Sequence, residues 1–393
     1  MSKLIDITGK AISGEWGQEA LEGEGIPVLR TTNFTNEGII KYDDVVNRHI
    51  TKKNIADKML RKGDIIIEKS GGSDKQPVGR VVYFEGEENK FLFNNFTGLL
   101  RVKDTKKWMP RYVFYSLYGN YINGGTKAFE NRTTGLHNLQ TDSYVMATEV
   151  RDVTLDEQAQ IVNQLDCVLE LIAKHRKQLA FLDVLVKSRF IELFGDPVHN
   201  NKEWTTDSVE RLCKEIYGGG TPSKSHPEYY ENGNIPWVSS KDMKTDILMD
   251  SQIHINEEGV ANSTARMVPE NSVIMVIRSG ILKHTLPVAI NAVPITVNQD
   301  LKVFIPGNRV ITRFLAYQFK MLESDILSGV RAVTADNIEF DSLKKRKLIV
   351  PPMELQQQFA AFVAQVDKSK LAVQQGLQEL ETLKKSLMQQ YFG

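Results

Sequence analysis

The sequence of 393 residues is poor in cysteine, having only Cys167 and Cys213. Two such residues build neither a disulfide framework nor a cysteine-ligated zinc site. It also lacks net charge, with Lys+Arg and Asp+Glu at 49 each. That balance gives no support to nucleic-acid binding and does not exclude it, because binding depends on where basic groups lie rather than on their sum. No apolar run approaches the length of a membrane span, and residues 1–8 lack the apolar core of a signal peptide. A cytoplasmic protein without membrane contact is expected.

Catalytic motifs are missing too. There is no Gly-x-Gly-x-x-Gly, and Gly218-Gly219-Gly220 runs into Thr221-Pro222, which cannot open a Walker-type helix. Pro351-Pro352 lies between Val350 and Met353, so the Asn/Asp-Pro-Pro-aromatic signature of amino-group methyltransferases is absent. Acid-x-Lys triplets at Glu88–Lys90, Asp104–Lys106 and Asp242–Lys244 arise by chance in a chain that is 25% charged. The seven histidines show no metal-ligand pairing. Neither a metal site nor a catalytic centre is expected.

What the chain does have is repetition. Leu182, Leu185, Lys187-Ser188 and Phe194-Gly195 return as Leu380, Leu383, Lys385-Ser386 and Phe392-Gly393, shifted by 198 positions (385 − 187). Upstream of the first phrase, Leu165, Ile172, Leu179, Val186 and Leu193 recur every seven residues. Ile161, Val168 and Leu182 fill a second row, which His175 and Arg189 interrupt. With neither Gly nor Pro between Leu155 and Phe194, this pattern predicts one long helix with a coiled-coil seam. Gly195 and Pro197 stand where they stop it. After Pro351-Pro352, Phe359, Val366, Val373, Leu380 and Leu387 repeat the spacing, beside Phe362, Leu377, Leu383 and Tyr391. Gly376 either weakens this second helix, by about 1 kcal/mol relative to Ala, or permits close helix approach.

Before each helix lies a stretch rich in Gly, Asn, Thr and short β-type runs. In the first, residues 26–30, 64–68 and 78–83 read as strands, and residues 108–118 as a short aromatic helix with Pro110 in its first turn. The second stretch echoes these in order. Ile235-Pro236 answers Ile26-Pro27, and Arg278-Ser279-Gly280 answers Lys69-Ser70-Gly71, both at a shift of 209 (235 − 26, 278 − 69). The expected fold is α+β with a pseudo-twofold internal repeat. Globules span 1–152 and 197–350, separated by long helices at 153–196 and 351–393 that form an antiparallel coiled coil.

These phrases resemble the specificity (S) subunit of type I restriction-modification systems over essentially the whole chain. Tyr217-Gly218-Gly219-Gly220-Thr221-Pro222-Ser223, then Tyr229-Tyr230 and Gly233-Asn234-Ile235-Pro236-Trp237-Val238, look like the opening of that family's target-recognition domains. Leu155-Asp156-Glu157-Gln158 and Pro351-Pro352-Met353-Glu354-Leu355-Gln356 look like the starts of its two conserved helices. The first globule departs from the pattern, with Ser13-Gly14-Glu15-Trp16-Gly17 where Gly-Gly-Thr-Pro-Ser is expected. The resemblance implies a non-catalytic subunit whose two globules each read half of a bipartite double-stranded DNA target, while the helices set the gap. It implies two adenine-N6 methyltransferase subunits as partners, which use S-adenosylmethionine, and in the full complex two motor-nuclease subunits, which use ATP and Mg. It assigns no cofactor to this chain.

Base readout needs forked donors or amides on loops able to enter the major groove. In the first globule such residues are Arg30, Thr32, Asn33, Lys69, Ser70, Arg80, Asn94, Asn95, Arg132 and His137. In the second they are Ser239, Ser240, Lys241, Arg278, Ser279, Lys283, His284, Asn298, Gln299, Arg331 and Asn337. Lys69 and Arg278 stand out, since each follows a strand and precedes Ser-Gly in places that the echo makes equivalent. The basic run from Lys344 to Lys347 suits phosphate, or simply a polar approach to the last helix. Lys174, Arg176 and Lys177 are either a solvated face or a contact for the methyltransferase subunits. A coiled-coil scaffold with two protein-binding globules is the alternative reading.

Overall fold

Two helices dominate the chain, and each starts and stops where its sequence changes character. In the computed structural model, which covers Met1–Gly393, the central helix is Leu155–Phe194 and the terminal helix Met353–Phe392, 40 residues apiece. At 1.5 Å per residue each is roughly 60 Å long. The structure describes every residue except 22, 53, 132–136, 330 and 333–335, and only the backbone of 331 and 332. Gly195, at φ 76°, takes the left-handed conformation that ends the central helix. Among the described residues no helix is long and apolar enough to cross a membrane.

The chain divides into two units, one of residues 1–176 with 375–393 and one of residues 177–374. Both divisions fall inside the long helices, so each unit owns part of each helix. Within either unit the two helical segments run antiparallel. In unit 1 Gln164 accepts from the Tyr391 hydroxyl at 2.7 Å and Arg176 pairs with Glu381 at 3.0 Å. In unit 2 Lys370 pairs with Asp183, and the Arg189 guanidinium lies 5.8 Å from the Phe362 ring. The heptad residues Ile161, Leu165, Val168, Ile172 and Val186 are buried as the spacing predicts. Of the two interruptions, His175 meets Gly376, where an added Cβ would stand 3.2 Å from its Nε2. Gly376 therefore serves close approach. Leu383 departs from expectation: it is exposed.

The globular parts repeat a common strand order with additions. Unit 1 has an antiparallel sheet ordered Ile12–Ser13, Thr97–Leu100, Ile65–Glu68, Val81–Tyr83. Unit 2 has Cys213–Gly218, Leu301–Pro306, Val273–Val276, Val288–Asn291, with Ile247–Leu248 added in parallel. The Ile-Pro strands, Ile26–Leu29 and Ile235–Val238, each take a parallel partner, Leu92–Phe93 and Thr296–Val297. Continuous apolar runs such as Ile65–Ile67 and Val273–Val276 are buried throughout, as strands covered on both faces require.

A short helix in each unit, Pro110–Ile122 and Thr312–Met321, joins sheet to long helices by the same set of contacts. Gln158, fully buried, accepts from Met109 N–H at 2.8 Å and donates to the carbonyls of Lys107 and Val153. Gln356, also fully buried, accepts from Ile311 N–H at 3.1 Å and donates to Arg309 and Pro351. Arg111 pairs with Asp166 in unit 1 and Arg313 with Asp367 in unit 2. On the other side, Met388 and Phe392 close on Gly119, whereas Phe190 stacks on Phe314 and Phe194 meets it edge-on. Each unit thus joins its own short helix to the start of one long helix and the end of the other.

Candidate nucleic-acid interface

Glycines shape one wall of the site in each unit. In unit 2 a Cβ on Gly219 would stand 1.8 Å from the Val297 carbonyl oxygen, and one on Gly220 would stand 2.3 Å from Thr264. Gly220 N–H donates to Val297 O at 3.0 Å, and its own carbonyl accepts from the Trp237 indole at 3.0 Å. Only glycine lets backbone approach backbone so closely. In unit 1 a Cβ on Gly14 would stand 2.2 Å from the carbonyls of both Phe93 and Asn94. Glu15 N–H donates to Phe93 O at 2.8 Å, as Gly220 does to Val297. Ser13-Gly14-Glu15 is therefore the counterpart of the triple glycine, although the two stretches share only Gly14 and Gly219.

Beside this wall the strand Ile65–Glu68 runs into Lys69-Ser70, and Val273–Val276 into Ile277-Arg278. Lys69 and Ser70 N–H both donate to Phe96 O, at 2.8 and 3.2 Å. Ile277 and Arg278 N–H both donate to Asp300 O, at 2.9 and 3.3 Å. Across the next strand, Leu139 N–H donates to Lys69 O, and Ile338 N–H to Ile277 O. These bonds correct the expected equivalence by one residue. Lys69 occupies the place of Ile277, and Ser70 the place of Arg278, because the offset between halves is 209 at Ile26/Ile235 but 208 at Ile65/Val273. Successive residues of a strand face opposite ways, so Lys69 points to the more enclosed side. Its stem lies over Gly98, where a Cβ would meet Cδ at 3.3 Å, and its ammonium donates to Ser13 Oγ at 2.8 Å. Burial pulls this ammonium below the usual lysine value, an effect that Asp142 opposes. Lys69 nonetheless lines one groove with Ser13, Ser70, Asn95 and Phe96.

Unit 2 presents Arg278 instead, 48% exposed and paired with Asp300 at 2.7 Å. Asn298 fixes that carboxylate: its amide donates to Asp300 Oδ2 at 3.2 Å and its oxygen accepts from Asp300 N–H. Nearby, Lys302 and Lys344 stand 4.5 and 5.0 Å from the Phe340 ring. Burial, with Lys344 and Arg278 as like charges, lowers the Lys302 pKa. Lys283 lies 3.9 Å from Asp336, and Asn337 forms a backbone bridge to Arg278. Exposed Gln299 accepts from Thr221. Arg278, Lys283, Gln299 and Asn337 are thus brought together, along with Ser279, which caps the turn Gly280–Lys283. His284 is exposed just beyond it.

Other candidates spend their donors inside the fold. Arg80 makes a forked ion pair with buried Glu68, at 2.9 and 3.0 Å, and donates also to the carbonyls of Thr31 and Phe34. Arg30 holds Asp44 at 2.8 Å; buried Asn33 bonds the Arg30 and Asp44 backbone. Asn94 is buried and bonded to Thr97, and buried His137 to Glu130. Ser239 binds Asp242 at 2.7 Å within its turn. Thr32 and Lys241 are exposed in short turns, and Ser240 is half-buried. Arg132 lies outside the described residues, as does the side chain of Arg331. In the basic run, Lys344 pairs with Asp341 and Arg346 with Asp325, while Lys347 is exposed. On the helices, Lys174 pairs with Glu170 at 2.7 Å and Lys177 lies over Phe181. Sequence reasoning missed Ser13, Phe96, Asp300 and Lys302, which a drifting offset would have aligned.

Residues 201–382 match the family model for the type I restriction modification DNA specificity domain. Over 289 residues the chain is 37% identical to the type I restriction enzyme EcoR124I/EcoR124II specificity subunit of Escherichia coli, a span covering 72% of this chain and 69% of that protein. A second relative, the MjaIX specificity subunit of Methanocaldococcus jannaschii, is 28% identical over 171 residues, covering 42% of this chain and 38% of that one. Among solved structures, the S subunit of a type I restriction-modification system from M. genitalium superposes with a TM-score of 0.58 at 14% identity, covering 100% of this chain and 95% of that one. A chain from a study of assembly and conformational transition in a type I restriction-modification system gives 0.57 at 15% identity, covering 99% and 96%. These last two likenesses concern the fold.

Proposed function

We infer the function from one premise: the chain belongs to the family of type I restriction-modification specificity subunits, and it is the DNA-recognition subunit of such a system. The scaffold reading without DNA contact gives way to this membership. We assign target recognition to residues 1–152 and 197–350, each reading one half of a bipartite site, and spacing to the helices at 153–196 and 351–393. A spacer of roughly 60 Å is long enough to bridge half-sites one DNA turn apart, roughly 34 Å.

One observation carries the reading. The two units repeat the same backbone frame, with glycine wall, strand end and hydrogen-bonded turn, yet fill it with different side chains: Ser70, Asn95 and Phe96 against Arg278, Gln299 and Asp300. A shared frame with unshared side chains is what two readers of different base sequences need. Arg278, held by Asp300, is preorganised for the forked contact with guanine. Lys69 offers a point charge from a half-enclosed seat.

Chemistry is left to partners. In this reading the chain transfers no group itself. Two adenine-N6 methyltransferase subunits dock on it and bring S-adenosylmethionine, and motor-nuclease subunits bring ATP and Mg. The test is reconstitution. The purified chain should methylate no DNA, while the chain with its methyltransferase should modify adenines within one bipartite motif. Methylation by the chain alone, or affinity for DNA independent of salt, would contradict the assignment.

A further inference from the structure

We propose that Phe96 is a specificity-determining residue of unit 1, seating the C5-methyl group of a thymine in the half-site that this unit reads. The inference rests on the DNA-reading role given above to the groove around Lys69, and it adds the class of base edge recognised there.

Phe96 is 51% exposed. A single exposed aromatic is ordinary on a protein surface, so exposure alone says little. Its setting says more. The Phe96 carbonyl is gripped by two N–H groups, those of Lys69 and Ser70. The turn before it is locked through Asn94, which is 4% exposed, donates from its backbone to Leu29 O at 2.9 Å and receives the Thr97 hydroxyl at 2.8 Å. The ring therefore stands on a fixed base, in a groove whose other walls include the polar residues Ser13, Lys69 and Asn95. At the matching place in unit 2 the residue is Asp300, whose carboxylate pairs with Arg278. One frame thus carries a charged group that orients a guanidinium, and the other an apolar ring with nothing to donate or accept. Within the major groove the apolar feature of a base edge is the thymine methyl, and phenylalanine is among the side chains that contact it. Any half-site methylated on adenine contains a thymine on the opposite strand, so the substrate chemistry supplies the ligand.

The experiment uses the chain assembled with its methyltransferase subunits and duplexes carrying its own target. Each thymine in the half-site assigned to unit 1 is replaced singly by uracil, which lacks only that methyl. Wild-type complex should bind about three- to fourfold more weakly at one position, the factor expected for one buried methyl group. Phe96→Ala should bind thymine and uracil duplexes equally at that position, and Phe96→Leu should keep part of the preference. The proposal is overturned if no uracil weakens wild type, or if Phe96→Ala still discriminates. Equal loss by Phe96→Ala on both duplexes would also overturn it, making the ring a wedge or a general contact. Lys69→Ala is measured in parallel: if it alters this half-site while Phe96→Ala does not, the inference alone fails. If neither variant alters it, the reading of the groove fails as well. Unchanged melting by circular dichroism checks that the half-exposed ring is not needed for folding.

Discussion

Replacing Gln356 by Leu keeps the size of the side chain and removes its polar end. Three backbone groups then lose their partner: the partly buried N–H of Ile311 and carbonyl of Arg309, and the buried carbonyl of Pro351. At about 1 kcal/mol net per hydrogen bond the loss is about 3 kcal/mol, and orphaned groups that water cannot reach raise it to about 3–5 kcal/mol. Gln158→Leu removes the same three kinds of bond in unit 1, to Met109, Lys107 and Val153, so the two variants should lose similar amounts. Hydrogen exchange followed by mass spectrometry is the suitable assay, because a chain with two units does not unfold as a single two-state system. Protection should drop in the segment around Met109 for Gln158→Leu and around Ile311 for Gln356→Leu. A change below about 0.5 kcal/mol in both, the range of ordinary surface substitutions, would refute the claim that these glutamines fasten sheet to helix.

Arg80→Ala strands the Glu68 carboxylate, which is 1% exposed, and should cost about 3–5 kcal/mol, read as lost hydrogen-exchange protection in the strand Ile65–Glu68. Arg278→Ala, at an exposed position, should leave stability within about 0.5 kcal/mol yet weaken recognition of one half-site by about 1–3 kcal/mol. Burial pushes the Cys213 thiol up to about 12; a raised value keeps it protonated at pH 8, and the thiol is a poor nucleophile compared with the thiolate. Iodoacetamide should therefore label the native chain on exposed Cys167 and reach Cys213 only after unfolding, as peptide mass mapping would show.

The long helices were legible because their signal is local. Seven-residue spacing and the lack of Gly and Pro between Leu155 and Phe194 need no knowledge of what they pack against, and the helices, Leu155–Phe194 and Met353–Phe392, fall within the expected 153–196 and 351–393. The Ile-Pro strands and the duplication were legible for the same reason. What was hidden is relational. The offset between halves drifts from 209 at Ile26/Ile235 to 208 at Ile65/Val273, 204 at Thr97/Leu301 and 198 at Gln158/Gln356. A fixed shift therefore set Lys69 against Arg278 and never set Phe96 against Asp300 or Gly14 against Gly219. Polar loop residues posed a second difficulty. Arg80 and Arg278 look alike in sequence, and only the fold shows that one makes four hydrogen bonds within the fold while the other is exposed. Buried Asn33, Asn94 and Asn298 were likewise indistinguishable from amides free to read a base.

The central claim is that one chain carries two separate readers. It is tested most directly by sequencing methylated adenines in DNA from cells that carry this chain and its methyltransferase, as wild type, Lys69→Ala and Arg278→Ala. Wild type should give one motif in two parts with a fixed gap. Lys69→Ala should relax or abolish selection in one part only, and Arg278→Ala in the other only, with the gap unchanged in both. A single continuous motif, or two variants that alter the same part, would contradict the account.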